Sequence, residues 1–182
     1  MNSTINKDKK NNLFEICIKA MNAPENGCSS MIINLTNSIK KPLNGFSSNL
    51  YKKYPIIQAN YDMVTHTFLK NNLGYCQTVK IEENVKTLHS IYVTSINCQL
   101  NTKSNHNPRP INYAGLTVGL LKTNKYIEKN ISQSESVEIH CPKLHFGSTG
   151  GNSIFYENIL QDVFLNRNVY VYENIKTKEG VR

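Results

Sequence analysis

Two stretches of this chain carry residue types at spacings that suit a phosphate-bearing ligand. The first, residues 31–55 (MIINLTNSIKKPLNGFSSNLYKKYP), is an apolar run ending at Asn37, then a loop bearing Asn44 and Gly45, then a helical pattern. The second, residues 137–152 (VEIHCPKLHFGSTGGN), is another apolar run leading into a loop with Gly147, Gly150 and Gly151, with a helical pattern after it. A glycine lets the backbone approach an anion, and the N–H groups of a helix start point at it. Taken singly, a glycine before a helix is ordinary turn chemistry. Side by side, two such loops would hold a diphosphate between them. Neither is a P-loop, since G-x-x-x-x-G-K-[ST] does not occur, and neither is the G-x-G-x-x-G dinucleotide fingerprint.

Other reactive side chains point less clearly to chemistry. His145 has the pKa range of a general acid or base, but one histidine in a glycine loop also reads as a plain contact or a packed ring. His140 lies inside an apolar run and reads as packed, and His106 in a polar loop reads as solvated. Ser148 and Thr149 have no Asp and His partners at a recognisable spacing, so no nucleophilic triad is indicated. Arg109 reads as a solvated loop residue or a phosphate contact, and Phe146 or Tyr113 as a stacking surface or as packing. The cysteines, Cys17, Cys28, Cys76, Cys98 and Cys141, are odd in number and show no C-x-x-C or Cys/His ligand spacing. They read as buried free thiols of a reducing compartment, and no metal or organic cofactor is expected.

The elements that must position these loops alternate along the chain. Short apolar runs at 13–18, 31–36, 75–81, 90–96, 137–141 and 168–172 read as strands. Helical patterns are expected over 46–54, 56–70, 111–130 and 154–165. In the third, Tyr113, Leu116, Leu120 and Ile127 share a face. In the fourth, Phe155, Ile159 and Val163 form the stripe. Strands alternating with helices imply an α/β layered fold, in which ligands bind where strand ends meet helix starts.

The length of 182 residues suits one domain. The net charge of +8 would suit an anionic partner, yet the lysines are scattered and form no basic block, so nucleic acid is not the expected partner. The excess of Lys, Asn and Ile fits an A/T-rich coding sequence, such as a viral or phage genome would supply. No apolar stretch reaches the length of a membrane span, and the opening MNSTINKDKKNN lacks the apolar core of a secretory signal. A cytoplasmic protein is expected, in the host cytoplasm if viral. Residues 1–12 are expected as a disordered basic tail, 13–175 as the domain and 176–182 as a C-terminal tail.

The order of these pieces resembles the macro domain. Residues 31–36 with Asn37 resemble its buried strand and strand-end Asn, and Asn44-Gly45-Phe46 its first phosphate loop. Leu73-Gly74 with residues 76–81, 91–99 (IYVTSINCQ) and 109–116 (RPINYAGL) resemble the strands and long helix that follow. Residues 139–151 (IHCPKLHFGSTGG) resemble the second phosphate loop. The resemblance covers roughly residues 13–173, and its closest branch processes ADP-ribose 1''-phosphate or cleaves ADP-ribosyl esters.

It implies a three-layer α/β/α fold on a mixed, largely parallel sheet. It also implies a site for ADP-ribose or a related nucleotide diphosphate sugar. Asn44, Gly45, Phe46, Ser47, His145, Phe146, Gly147, Ser148, Thr149 and Gly150 would contact the ligand, and Asn37 would position a water for hydrolysis of a phosphate, acyl or ADP-ribosyl ester. There are departures. The Gly-Asp that selects adenine is replaced by Lys19-Ala20-Met21-Asn22. His145 and Phe146 stand where small residues are usual, and residues 100–107 and 145–152 contain no acid. The sequence therefore leaves two readings open: an ADP-ribose binder or hydrolase, and a catalytically inactive module with a structural role or a protein partner.

Overall fold

A computed structural model describes residues 5–6, 28–40, 45–84, 89–99, 111–131, 136–143 and 151–172. Its centre is one sheet of six strands: β1 (Ile5–Asn6), β2 (Cys28–Asn37), β3 (Cys76–Asn84), β4 (His89–Gln99), β5 (Ser136–Pro142) and β6 (Val169–Tyr172). Their order across the sheet is β1-β6-β5-β2-β4-β3. Every pairing is parallel except β3 with β4, which is antiparallel. The expected mixed, largely parallel sheet is what forms. The expected strand over 13–18 lies outside the described residues. Ile5 and Asn6, inside the stretch read as a tail, instead pair with Val171 and Tyr172 at the sheet edge.

Among the described residues, five helices cover the sheet: α1 (Gly45–Lys53), α2 (Pro55–Asp62), α3 (His66–Asn71), α4 (Tyr113–Asn130) and α5 (Ser153–Val163). Alternate residues of β2 feed two cores, as strand geometry requires. Met31, Ile33 and Leu35 join Ile96, Leu116, Leu120, Ile139, Tyr156 and Leu160 under α4 and α5. Ile32 joins Phe46, Leu50, Tyr51, Ile57, Val93 and Tyr172 under α1 and α2. The sheet is thus covered on both faces, giving three layers.

Two helical expectations need correction. The single helix read over 56–70 is two. Thr65 is extended, with ψ 147°, and its side chain accepts a hydrogen bond from the Phe68 N–H, so it starts a new helix after Asp62. The buried row of α5 is Tyr156 and Leu160, continued by Phe164. Phe155 is half exposed, and Ile159 and Val163 are only partly buried. Two adjacent apolar rows run along this helix, and the one that seats on the sheet lies one residue ahead of the stripe read from sequence. In α4, Asn112 caps the first turn by accepting from the Gly115 N–H at 2.7 Å. Gly74, at φ +82°, lets the preceding loop lie against α4, since a Cβ there would meet Gly115 O and Val118 at 2.9 Å.

Candidate functional site

The parallel strands β2, β4, β5 and β6 end at the same edge, at Asn37, Gln99, Pro142 and Tyr172. Beside that edge, α1 starts on one face at Gly45 and α5 starts on the other at Ser153. Neither helix carries an acidic residue in its first turn, and the positive end of a helix dipole favours an anion. Two helix starts flanking parallel strand ends suit an anion with two charged groups.

Asn37 is the last residue of β2 and is fully buried. The pairing of β2 with β4 shifts between Thr36 and Asn37, which brings Asn37 opposite Gln99. The extra residue, Cys98, lies on β4, and past the shift Ser38 N–H donates to Gln99 O at 2.9 Å. Asn37 O accepts from the Lys40 N–H at 3.2 Å and lies 3.5 Å from the Tyr61 hydroxyl. That hydroxyl itself accepts from Thr36 Oγ1 at 2.8 Å. The C-terminal end of α2 therefore holds the end of β2 in place.

Gly45, Phe46 and Ser47 form the first turn of α1, which lies against β2 at Asn34. Their side chains do not line an open cleft. Phe46 is buried among Ile32, Leu50 and Val93. Ser47 Oγ donates to Asn34 Oδ1 at 2.8 Å, and both residues are buried. Asn44 and residues His145, Phe146, Gly147, Ser148, Thr149 and Gly150 of the second loop lie outside the described residues. Also outside them are Lys19 to Asn22, His106 and Arg109.

Asn34 is a structural residue that the sequence reading passed over as part of an apolar run. Its amide nitrogen donates to Tyr51 OH and to Ser95 Oγ, both at 3.2 Å, while its oxygen accepts from Ser47. Four buried polar groups from β2, β4 and α1 are thereby satisfied together. The signal was present: an asparagine in a strand buried on both sides must be matched by polar partners. Burial also pushes the Tyr51 phenol above its ordinary pKa, so it stays a neutral member of this group.

The start of α5 is fixed from α4. Asn152 caps α5, accepting from Ile154 and Phe155 N–H at 3.0 and 3.2 Å. Its own N–H donates to the Tyr113 hydroxyl at 2.6 Å. Phe155 packs edge-on to the Tyr113 ring, with centroids 4.8 Å apart. Tyr113 thus ties together the first turns of two helices. His140 is packed, as its place in an apolar run suggested. It shares a 2.7 Å hydrogen bond with Tyr172 OH through Nδ1, stacks on Tyr170, and has Glu138 Oε2 at 3.6 Å from Nε2. Cys98 and Cys141 are buried, and burial pushes each thiol up to about 12. Among the described residues, no three His, Cys, Asp or Glu side chains cluster as metal ligands. No helix among the described residues is long and apolar enough to cross a membrane.

No family model and no curated protein matches the sequence. Solved structures do match its shape. A protein from Bacteroides thetaiotaomicron superposes with a TM-score of 0.66 at 22% identity, over 84% of this chain and 94% of that one. A macrodomain protein from Streptomyces coelicolor gives 0.62 at 20% identity, over 84% and 93%. DarTG from Thermosipho africanus, solved in complex with ADP-ribose, gives 0.60 at 13% identity, over 82% of this chain and 39% of that one. On these superpositions, with two helix starts at one edge of a largely parallel sheet, this chain has the macrodomain fold.

Proposed function

We propose that the chain binds ADP-ribose or a close derivative at the C-terminal edge of its parallel strands, between the starts of α1 and α5. The observation that carries this reading is the gathering of the β2, β4, β5 and β6 ends at one edge of the sheet, with α1 and α5 starting beside it on opposite faces. The likeness to DarTG solved with ADP-ribose supports the choice of ligand. In this reading the diphosphate lies between the loops at residues 44–47 and 147–151.

Asn37 presents an amide, which can orient a water but cannot take its proton. Hydrolysis at this site would therefore depend on the ligand's own phosphate as the proton acceptor, with Asn37 aiming the water at a phosphate or acyl ester. The second reading is a macrodomain that binds without turnover or serves as an interaction module. It is favoured by the burial of Phe46 and Ser47, side chains that a working cleft would otherwise use.

Titration of ADP-ribose into the purified protein, with AMP and ribose 5-phosphate as controls, separates these readings. Micromolar binding of ADP-ribose over both controls is expected, and no heat at millimolar ligand would overturn the proposal. Phosphate or acyl release that disappears in Asn37→Ala while binding persists would assign hydrolysis to the site. Binding without release would leave a reader module.

A further inference from the structure

The turn that follows Asn37 contains Lys40, the one non-glycine residue among those described with a left-handed backbone, at φ 60°. That region is disfavoured for a residue with a Cβ, and lysine lacks the short polar side chain that eases Asn or Asp into it. Something else must hold Lys40 there. Its N–H closes the turn on Asn37 O, and its ammonium crosses to the carbonyl oxygen of Asp62 at 2.7 Å. Asp62 ends α2, where carbonyls lack partners within the helix and the dipole favours a cation. The preceding residue, Tyr61, is the one whose hydroxyl engages Thr36 and reaches Asn37 O. Two contacts from the same helix end therefore hold the strand end and the turn beyond it.

We propose that Lys40 is a positioning residue for the candidate site, tethering the turn between β2 and α1 to the C-terminal end of α2 so that Asn37 and the first turn of α1 keep their places. The inference rests on the ADP-ribose reading given above. The tether acts through Asn37 and the backbone, and the ammonium, engaged by Asp62, is not itself a ligand contact.

Three variants separate the tether from the backbone. Lys40→Asn tolerates the left-handed conformation but cannot reach Asp62. Lys40→Arg keeps both cation and reach. Lys40→Gly removes the strain and the tether together. The dissociation constant for ADP-ribose, measured by calorimetry, is expected to rise about tenfold in Lys40→Asn and Lys40→Gly, as it would if the turn kept its binding geometry about a tenth of the time. Lys40→Arg should bind like the parent. Lys40→Gly should unfold at or above the parent temperature, which a merely stabilising lysine would not allow. Equal affinity of the parent, Lys40→Asn and Lys40→Gly overturns the proposal. If the parent itself does not bind ADP-ribose, that reading falls by itself, and the tether is judged from amide exchange at Ser38, whose N–H is bonded to Gln99 O. Faster exchange at Ser38 in Lys40→Asn sustains the tether, and unchanged exchange rules it out.

Discussion

Ser47→Ala tests whether the first turn of α1 serves the core or the ligand with its side chains. In the structure Ser47 Oγ donates to Asn34 Oδ1 at 2.8 Å, and the two residues are 2% and 0% exposed. Truncation removes a donor from an acceptor that water cannot reach, which costs about 1–3 kcal/mol. Alanine returns up to about 0.5 kcal/mol through its better helix propensity. The net loss is about 1.5 kcal/mol. For a domain of this size, roughly 2–4 °C of melting temperature accompanies each kcal/mol, so the midpoint should fall by about 5 °C. Thermal unfolding followed by circular dichroism reads this directly. A double-mutant cycle adds a sharper measure: Asn34→Ala should cost clearly less in the Ser47→Ala background than in the parent, because the shared hydrogen bond is already gone. ADP-ribose affinity should change less than threefold, an estimate that assumes the turn's backbone stays in place. An unchanged melting temperature together with a large loss of affinity would refute the reasoning, since it would mean the hydroxyl faces the ligand.

Gly119→Ala should destabilise the domain by about 1–2 kcal/mol, since the new Cβ would stand 2.3 Å from Ile96 Cγ2 in a packed core and overpacking outweighs the gain in helix propensity; urea unfolding measures it. Cys76 should be alkylated in the native protein at pH 8 well before Cys28, Cys98 or Cys141, because it alone of the four is partly exposed; mass mapping of the labelled peptides decides. The buried thiols also set an alkaline limit. Cys98 and Cys141 are pushed from 9.0 up to about 12, so their contribution to stability is fully present below about pH 9 and is lost as pH rises from there through 12. The melting temperature should fall across that window, and less so in Cys98→Ala once its own cavity cost is subtracted.

Much of the frame was legible because its signals are local. The run at 31–36 is apolar on alternate and intervening positions, which only a strand covered on both faces requires, and β2 is the centre of the sheet. The shared face of Tyr113, Leu116, Leu120 and Ile127 marked α4, and Leu116, Leu120 and Ile127 are buried. What escaped depended on partners distant in sequence. The break at Thr65 turns on whether its hydroxyl caps a new helix or hangs from an old one, which propensity alone does not decide. The choice between two apolar rows on α5 was made by the sheet beneath it, where Tyr156 and Leu160 join Ile139 and Cys141 in one core. For the site, sequence marked Asn37 and Gly45 through their place at a strand end and a helix start. It could not show that Phe46 and Ser47 turn inward, because that follows from Asn34 and from α1 lying over β2.

The quartet of Asn34, Ser47, Tyr51 and Ser95 has a consequence for how this chain can vary. The layer under α4 and α5 is aliphatic and aromatic, and such a layer tolerates one-at-a-time drift among side chains of similar volume. The layer under α1 is a lock with four wards. Any single change in it strands a buried donor or acceptor, so viable lineages should cross only by paired replacement, and positions 34, 47, 51 and 95 should covary among relatives. The seat of α1 on the sheet would then be the slowest-evolving part of the domain, while the opposite layer keeps the freedom to be repacked.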